Sequence, residues 1–129
     1  MAEKTPIRTE AAPAPFQGAP YSQAIRANGL VFVSGQLALR PDHAEIASND
    51  IGEQTEQIFD NLHAILEEAG SGLDRLVKTT VFLTDLGDFA GMNEVYARRV
   101  GEPFPARATV GISQLPSGAK VEIEAIAVL

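Results

Sequence analysis

Cysteine is absent from the 129-residue chain. That removes disulfides, thiolate nucleophiles and zinc–thiolate centres together, and it favours a cytoplasmic location. Histidine is nearly as scarce. His43 and His63 are the two present, and neither has a histidine or cysteine partner at i+3 or i+4, so no metal site and no paired-histidine acid–base chemistry is expected. Positive charge is short as well. Ten Lys and Arg stand against 17 Asp and Glu, a net charge of −7, with a pI near 4.7. Nucleic acid attracts basic surfaces, so a general nucleic-acid binder is disfavoured, while one local arginine can still hold a small carboxylate. No run approaches the ~18 consecutive apolar residues of a membrane span. The opening "MAEKTPIRTEAAPAPFQG" is charged and proline-rich, without the apolar centre of a secretory signal. Phosphate-cradling glycine motifs and the G-x-S-x-G elbow are missing, and no cofactor is expected.

Hydrophobic residues make up 45% of the sequence, enough for a core without staples, and the length suits a single domain over residues 1–129. Residues 1–20 carry Pro6, Pro13, Pro15 and Pro20 and read as a lead-in, extended or mobile over 1–15. Asn28-Gly29 between two apolar runs predicts a hairpin of strands 22–27 and 30–39, because both residues tolerate positive φ. "NDIGEQTEQIFDNLHAILEEAG" predicts the first helix. Asp50 and Glu53 form a capping-box pattern, Ile51, Ile58, Leu62, Ile65, Leu66 and Ala69 fall on one stripe, and Gly70 and Gly72 stop it. "LVKTTVFL" (76–83) reads as a strand. "DFAGMNEVYARRVG" reads as a second helix with Phe89, Met92, Tyr96 and Val100 as its buried stripe. Two strands follow near 106–112 and 120–128, around a turn at "PSG". The order β-β-α-β-α-β-β predicts an α+β domain, a mixed sheet with two helices on one face.

Strands such as "LVFVSG" and "VEIEAIAVL" are apolar at both parities, whereas a one-sided sheet alternates. Two helices cover one face, no third helix is available, and the surplus face predicts a homo-oligomer. The alternative is that residues 1–20 fold over it.

The stretch "PFPARATVG" (103–111) places a lone arginine, Arg107, at the start of a small apolar strand. It shares parity with Thr109 and Gly111, which leave room before its guanidinium. The planar fork suits a carboxylate, although a structural ion pair or an exposed strand end would read the same way. Glu122 and Glu124 share parity with Ile126 and Val128. A carboxylate on an apolar face is paired or functional more often than not, and burial raises its pKa toward proton-transfer range; alternation alone does not choose between the two. Tyr21, after Pro20, could deliver a hydroxyl into a cleft or pack as an edge staple. Asn93 sits at the border of the second helix's stripe, where a solvated residue is equally consistent.

"PFPARATVGISQLPSGAKVEIEAIAV" closely resembles the C-terminal signature of the reactive-intermediate deaminase (Rid/YjgF) family, with further matches at "PYSQAI", "VFVSGQL" and "VKTTVFLTDLGDFAGMNEVYA". The resemblance covers about residues 14 to 129. It implies a chorismate-mutase-like α+β fold, a homotrimer with clefts between subunits, and metal-free hydrolysis of enamines and imines (2-aminoacrylate/2-iminopropanoate, 2-iminobutanoate) to 2-keto acids and ammonia. Carried over, Arg107 matches the substrate-carboxylate arginine, Glu122 the glutamate that positions water, Tyr21 the cleft tyrosine and Asn93 the asparagine of the second helix. Thr109 stands where many members have cysteine, and Ala19 rather than glycine precedes Pro20-Tyr21. Competing expectations are another imine, such as a pyrimidine-catabolism aminoacrylate; an endoribonuclease or translation inhibitor; and a non-catalytic keto-acid binder or holdase.

Overall fold

The computed structural model describes residues 3–43 and 45–129. Eight regular elements follow one another: β1 (Thr5–Ile7), β2 (Ala24–Ala27), β3 (Leu30–Gln36), α1 (Ile51–Glu68), β4 (Leu76–Leu83), α2 (Phe89–Val100), β5 (Ala106–Gly111) and β6 (Val121–Val128). They form a six-stranded sheet of order β1-β2-β3-β6-β4-β5. All pairings are antiparallel except β4 with β5, which run parallel because α2 carries the chain back across the sheet.

Local chemistry accounts for most boundaries. Asn28 and Gly29 both take positive φ (51° and 77°) and close the β2–β3 hairpin, as a two-residue turn of that handedness requires. The Asp50 side chain accepts from the Glu53 backbone N–H at the start of α1. Glu53 completes only half of the expected box: its carboxylate takes the Ser48 hydroxyl, and that hydroxyl accepts from the Asp50 N–H. At the other end Gly70 is at φ +86°, with Ser71 N–H on the Leu66 carbonyl and Gly70 N–H on that of Glu67, a left-handed glycine stop.

Three expectations are corrected. The element order gains a strand, because residues 5–7 of the lead-in pair with β2 at the sheet edge. Gln23 holds this segment: its side-chain oxygen accepts from Thr9 N–H, and its amide donates to the carbonyls of Thr9, Ala12 and Pro13. Strand β3 ends at Gln36 instead of 39, since its pairing with β6 slips between Val33 and Gln36. Phe89, expected in the buried stripe of α2, is 42% exposed, and Val95 lies inside with Met92, Tyr96 and Val100. Phe89 is the first residue of its helix and projects past the core toward β5.

The core lies between the helices and one sheet face. Val31, Val33, Val81, Leu83, Val121, Ile123, Ala125 and Ala127 meet Ile58, Phe59, Leu62, Ile65, Leu66 and Met92. Among the described residues no helix covers the opposite face. Register places Pro6, Ile25, Phe32, Ile126, Lys78 and Ala106 in one row across all six strands of that face, and Glu122, Phe82 and Val110 in a second. Phe32 and Val110 are 42% and 40% exposed, so the surplus apolar face expected from double-parity strands is present. Of the lead-in, residues 5–7 lie at the sheet edge beside β2 and Ala12 joins the core. No helix among the described residues is long and apolar enough to cross a membrane.

Candidate active site

Arg107 is the second residue of β5. Its register row runs Ala24, Val33, Ala125, Thr79, Arg107, and the first four are buried against the helices. Alternation therefore turns Arg107 to the helix side, where α2 meets it. Its Nη1 donates to Asn93 Oδ1 at 2.7 Å. Its guanidinium carbon lies 4.7 Å from the centroid of the Tyr96 ring and 5.6 Å from that of Phe89, within stacking range for a planar cation. Among the described residues no carboxylate comes within ion-pair reach of it, whereas Arg98 and Arg99 are tied to Glu56 and Asp60. The Asn93 oxygen is neutral, so the positive charge stays uncompensated. Asn93 is thus a partner of Arg107 and not a solvated helix residue. A cavity of about 280 Å³ opens here, lined by Asn93, Tyr96, Ala97, Phe104, Pro105 and Arg107.

Thr109 follows on the same face of β5. Its hydroxyl is buried and has no hydrogen-bond partner among the described residues, a state that costs about 1–3 kcal/mol and is uncommon in native proteins.

Glu122 occupies the other face. Its row, Glu122–Phe82–Val110, lies on the uncovered side, so Arg107 and Glu122 neither pair nor share a site within one chain. The carboxyl is half-buried against β3, and Gly35 makes the room: a Cβ there would sit 2.0 Å from Glu122 Oε1. Burial first, and then the neighbouring charge of Glu124, push the Glu122 pKa above the ordinary carboxylate value. Glu124 is exposed, which separates the two glutamates that alternation leaves equivalent. Tyr21 stands near Gly35 as well. It lines a small cleft with Gly35 and Gln36, is 45% exposed, and its hydroxyl accepts from the Phe16 backbone N–H at 2.6 Å, which leaves the hydroxyl proton free to donate.

The requirement at Gly35 is for space and not for backbone freedom. Replacing Gly35 with alanine is expected to lower stability by roughly 1–3 kcal/mol, the usual range for overpacking, or to expel the Glu122 carboxyl. Chemical denaturation and a crystal structure of the variant check this; an unshifted midpoint with Glu122 in place would refute it.

A second cavity, about 540 Å³, lies under the lead-in beside Gln23. The Gln23 amide is already bonded to the lead-in backbone, and Arg8, Glu10 and Tyr21 line the rest of the space. His43 and His63 are exposed, far apart in sequence, and each lies beside its own acid, Asp42 and Glu67.

One chain therefore carries Arg107, Asn93, Thr109 and an aromatic wall on the helix side, Glu122 on the open side, and Tyr21 in the cleft beside Gly35. Residues 9–129 match the sequence profile described as Endoribonuclease L-PSP. The chain belongs to that family, the Rid/YjgF family of the C-terminal signature. A RutC family protein of Pyrococcus abyssi is 51% identical over 124 residues, 96% of each chain. The chloroplastic Reactive Intermediate Deaminase A of Arabidopsis thaliana is 46% identical over 127 residues, 98% of this chain and 67% of that protein. Among solved structures, Escherichia coli TdcF with bound serine superposes with a TM-score of 0.89 at 38% identity, covering 97% of this chain and 99% of that one. The L-PSP chain thus has its family's fold along nearly its whole length. What sequence reasoning missed in the site are Tyr96 and Phe89, read as core stripe, and Gly35, whose only signal is its place in "VFVSGQL".

Proposed function

We propose that this protein hydrolyses small 2-imino acids and their enamine tautomers, such as 2-iminobutanoate and 2-aminoacrylate/2-iminopropanoate, to 2-keto acids and ammonia. The observation that carries this reading is the uncompensated Arg107 guanidinium, steered by Asn93 and Tyr96 at the mouth of a cavity. It has five N–H donors and, among the described residues, uses one of them. A bidentate carboxylate fits the rest. The deaminase relative and the serine-bound relative, an amino acid with its own carboxylate, support the same ligand class.

Catalysis needs a proton-handling group near the iminium carbon, and the chain's candidate faces away. A composite site resolves this. The uncovered apolar face packs against further copies in a closed ring, for which a trimer is our reading, and the Glu122 face of one copy meets the β5 edge, with Arg107, of the next. There Arg107 holds the carboxylate. Glu122, ionised, takes a proton from water as the oxygen adds to C2, then returns it to the departing nitrogen. As the C–N bond breaks and ammonia leaves, the carbinolamine hydroxyl gives its proton to the Glu122 carboxylate and becomes the keto group, and the proton passes on to solvent or ammonia. Tyr21 orients the substrate or the water, and the Thr109 hydroxyl gains the partner it lacks. An imine hydrolyses unaided in water, so positioning and one acid–base group suffice.

Net charge −7 and exposed, separately paired histidines favour this over RNA cleavage. The test uses an amino-acid oxidase to generate 2-iminobutanoate in the presence of semicarbazide. The protein is expected to divert the imine from semicarbazone to 2-oxobutanoate; undiminished semicarbazone overturns the reading. Sedimentation velocity is expected to give three times the chain mass at micromolar concentration, and glutamate at Phe32 to give monomers. A monomeric wild type removes the composite site.

A further inference from the structure

We propose that Tyr96 is a positioning residue for Arg107, its ring serving as the surface on which the guanidinium rests and its buried hydroxyl bond to Thr79 setting where that surface stands. This rests on the reading of Arg107 as the carboxylate-holding group.

The two rings beside Arg107 differ in how they are held. Phe89 begins α2 and is largely free on its outer side. Tyr96 is 4% exposed and meets the wholly buried Phe59 edge-on, with ring centroids 5.6 Å apart at 81°. Its hydroxyl lies 2.6 Å from Thr79 Oγ1 in the interior. Thr79 is also the residue directly beside Arg107 in the β4–β5 ladder. One cross-strand pair thus carries both the anchor of the ring and the cation stacked on it.

Stability alone does not account for two hydroxyls in this core. A Phe–Val pair of nearly the same shape would be close to neutral. What the hydroxyl bond adds is direction: it stops the ring sliding along β4. Asn93 lies three residues before Tyr96 on the same helix face and fixes one nitrogen of the fork. Helix α2 therefore supplies an edge acceptor and a stacking face from adjacent turns, which holds an otherwise flexible side chain near its bound geometry before any ligand arrives.

The experiment compares wild type with Thr79→Ser, Tyr96→Phe and the Tyr96→Phe/Thr79→Val double variant, whose paired apolar replacement preserves packing. The first measurement needs no ligand. It is the ¹⁵N heteronuclear NOE of the Arg107 Nε–H, assigned by its loss in Arg107→Lys. The second is the dissociation constant for 2-oxobutanoate with KM and kcat for 2-iminobutanoate. Wild type and Thr79→Ser are expected to give a rigid Arg107 signal. Tyr96→Phe and the double variant are expected to lower the NOE and to raise Kd and KM about 3- to 10-fold, the cost of ordering one long side chain, with kcat within about twofold, as lost ground-state holding predicts. An equally rigid Arg107 in both hydroxyl-lacking variants overturns the inference. A wild type that neither binds nor turns over overturns the proposed function, and the NOE still decides the positioning.

Discussion

Arg107→Ala is expected to lower kcat/KM for 2-iminobutanoate by about 10²- to 10⁴-fold. Each hydrogen bond from a charged group contributes roughly 1.5–3 kcal/mol, and two parallel ones are lost with the fork. The fold should survive, because Arg107 is only partly buried and its one bonded partner, Asn93, sits at a solvent-accessible cavity. Arg107→Lys is the sharper variant. It keeps the charge but loses the planar fork and the stacking on Tyr96, and it should recover little of the loss. The oxidase-coupled assay measures both, with circular dichroism and sedimentation as controls. A full rate in Arg107→Ala removes the carboxylate from this site.

Glu122→Gln is expected to cost roughly 10²–10⁴ in turnover, the usual contribution of a positioned acid–base group, while 2-oxobutanoate binding is kept. A variant that loses both, or neither, speaks against the assigned role. The pH behaviour follows from the raised Glu122 pKa. The working form is the carboxylate, so kcat/KM should climb with pH through that raised value and then level off, and Glu122→Gln should abolish the climb. Stability runs the other way. A carboxyl whose folded pKa lies above its unfolded one binds more protons when folded, so its contribution is lost as pH rises from the ordinary carboxylate value through the raised one. Glu122→Gln should therefore melt higher than wild type at neutral pH. Mixing supplies a geometric check. Unfolding Arg107→Ala and Glu122→Gln together and refolding them should restore about a quarter of wild-type activity, since each interface of a random ring has that chance of joining an intact Arg107 to an intact Glu122. No recovery from correctly reassembled rings would remove the composite site.

Much of this was legible from residue order. Strand 76–83, the Asn28-Gly29 turn, the stripe of α1 and its glycine stop are local patterns, and the structure repeats them. Phe89 was misread because helical periodicity has no knowledge of helix ends. Strand β1 was missed because three residues with a central proline give no strand pattern, and what holds the segment is a distant glutamine. Asn93 and Arg107 were both named, yet their bond depends on the β4–α2–β5 crossover, which no spacing along the chain encodes.

The sequence alone determined the composition of each face, because side chains in a strand alternate whatever the strand pairs with: Arg107 with Thr109, Glu122 with Glu124, and an apolar surplus at both parities. Only the tertiary structure decided which parity looks toward the helices. That choice comes from strand order and crossover, long-range matters of which row finds a cover. It turned the two groups of the proposed chemistry to opposite sides of one sheet, set an aromatic ring and an amide against the guanidinium, and opened a glycine-sized space for the carboxyl.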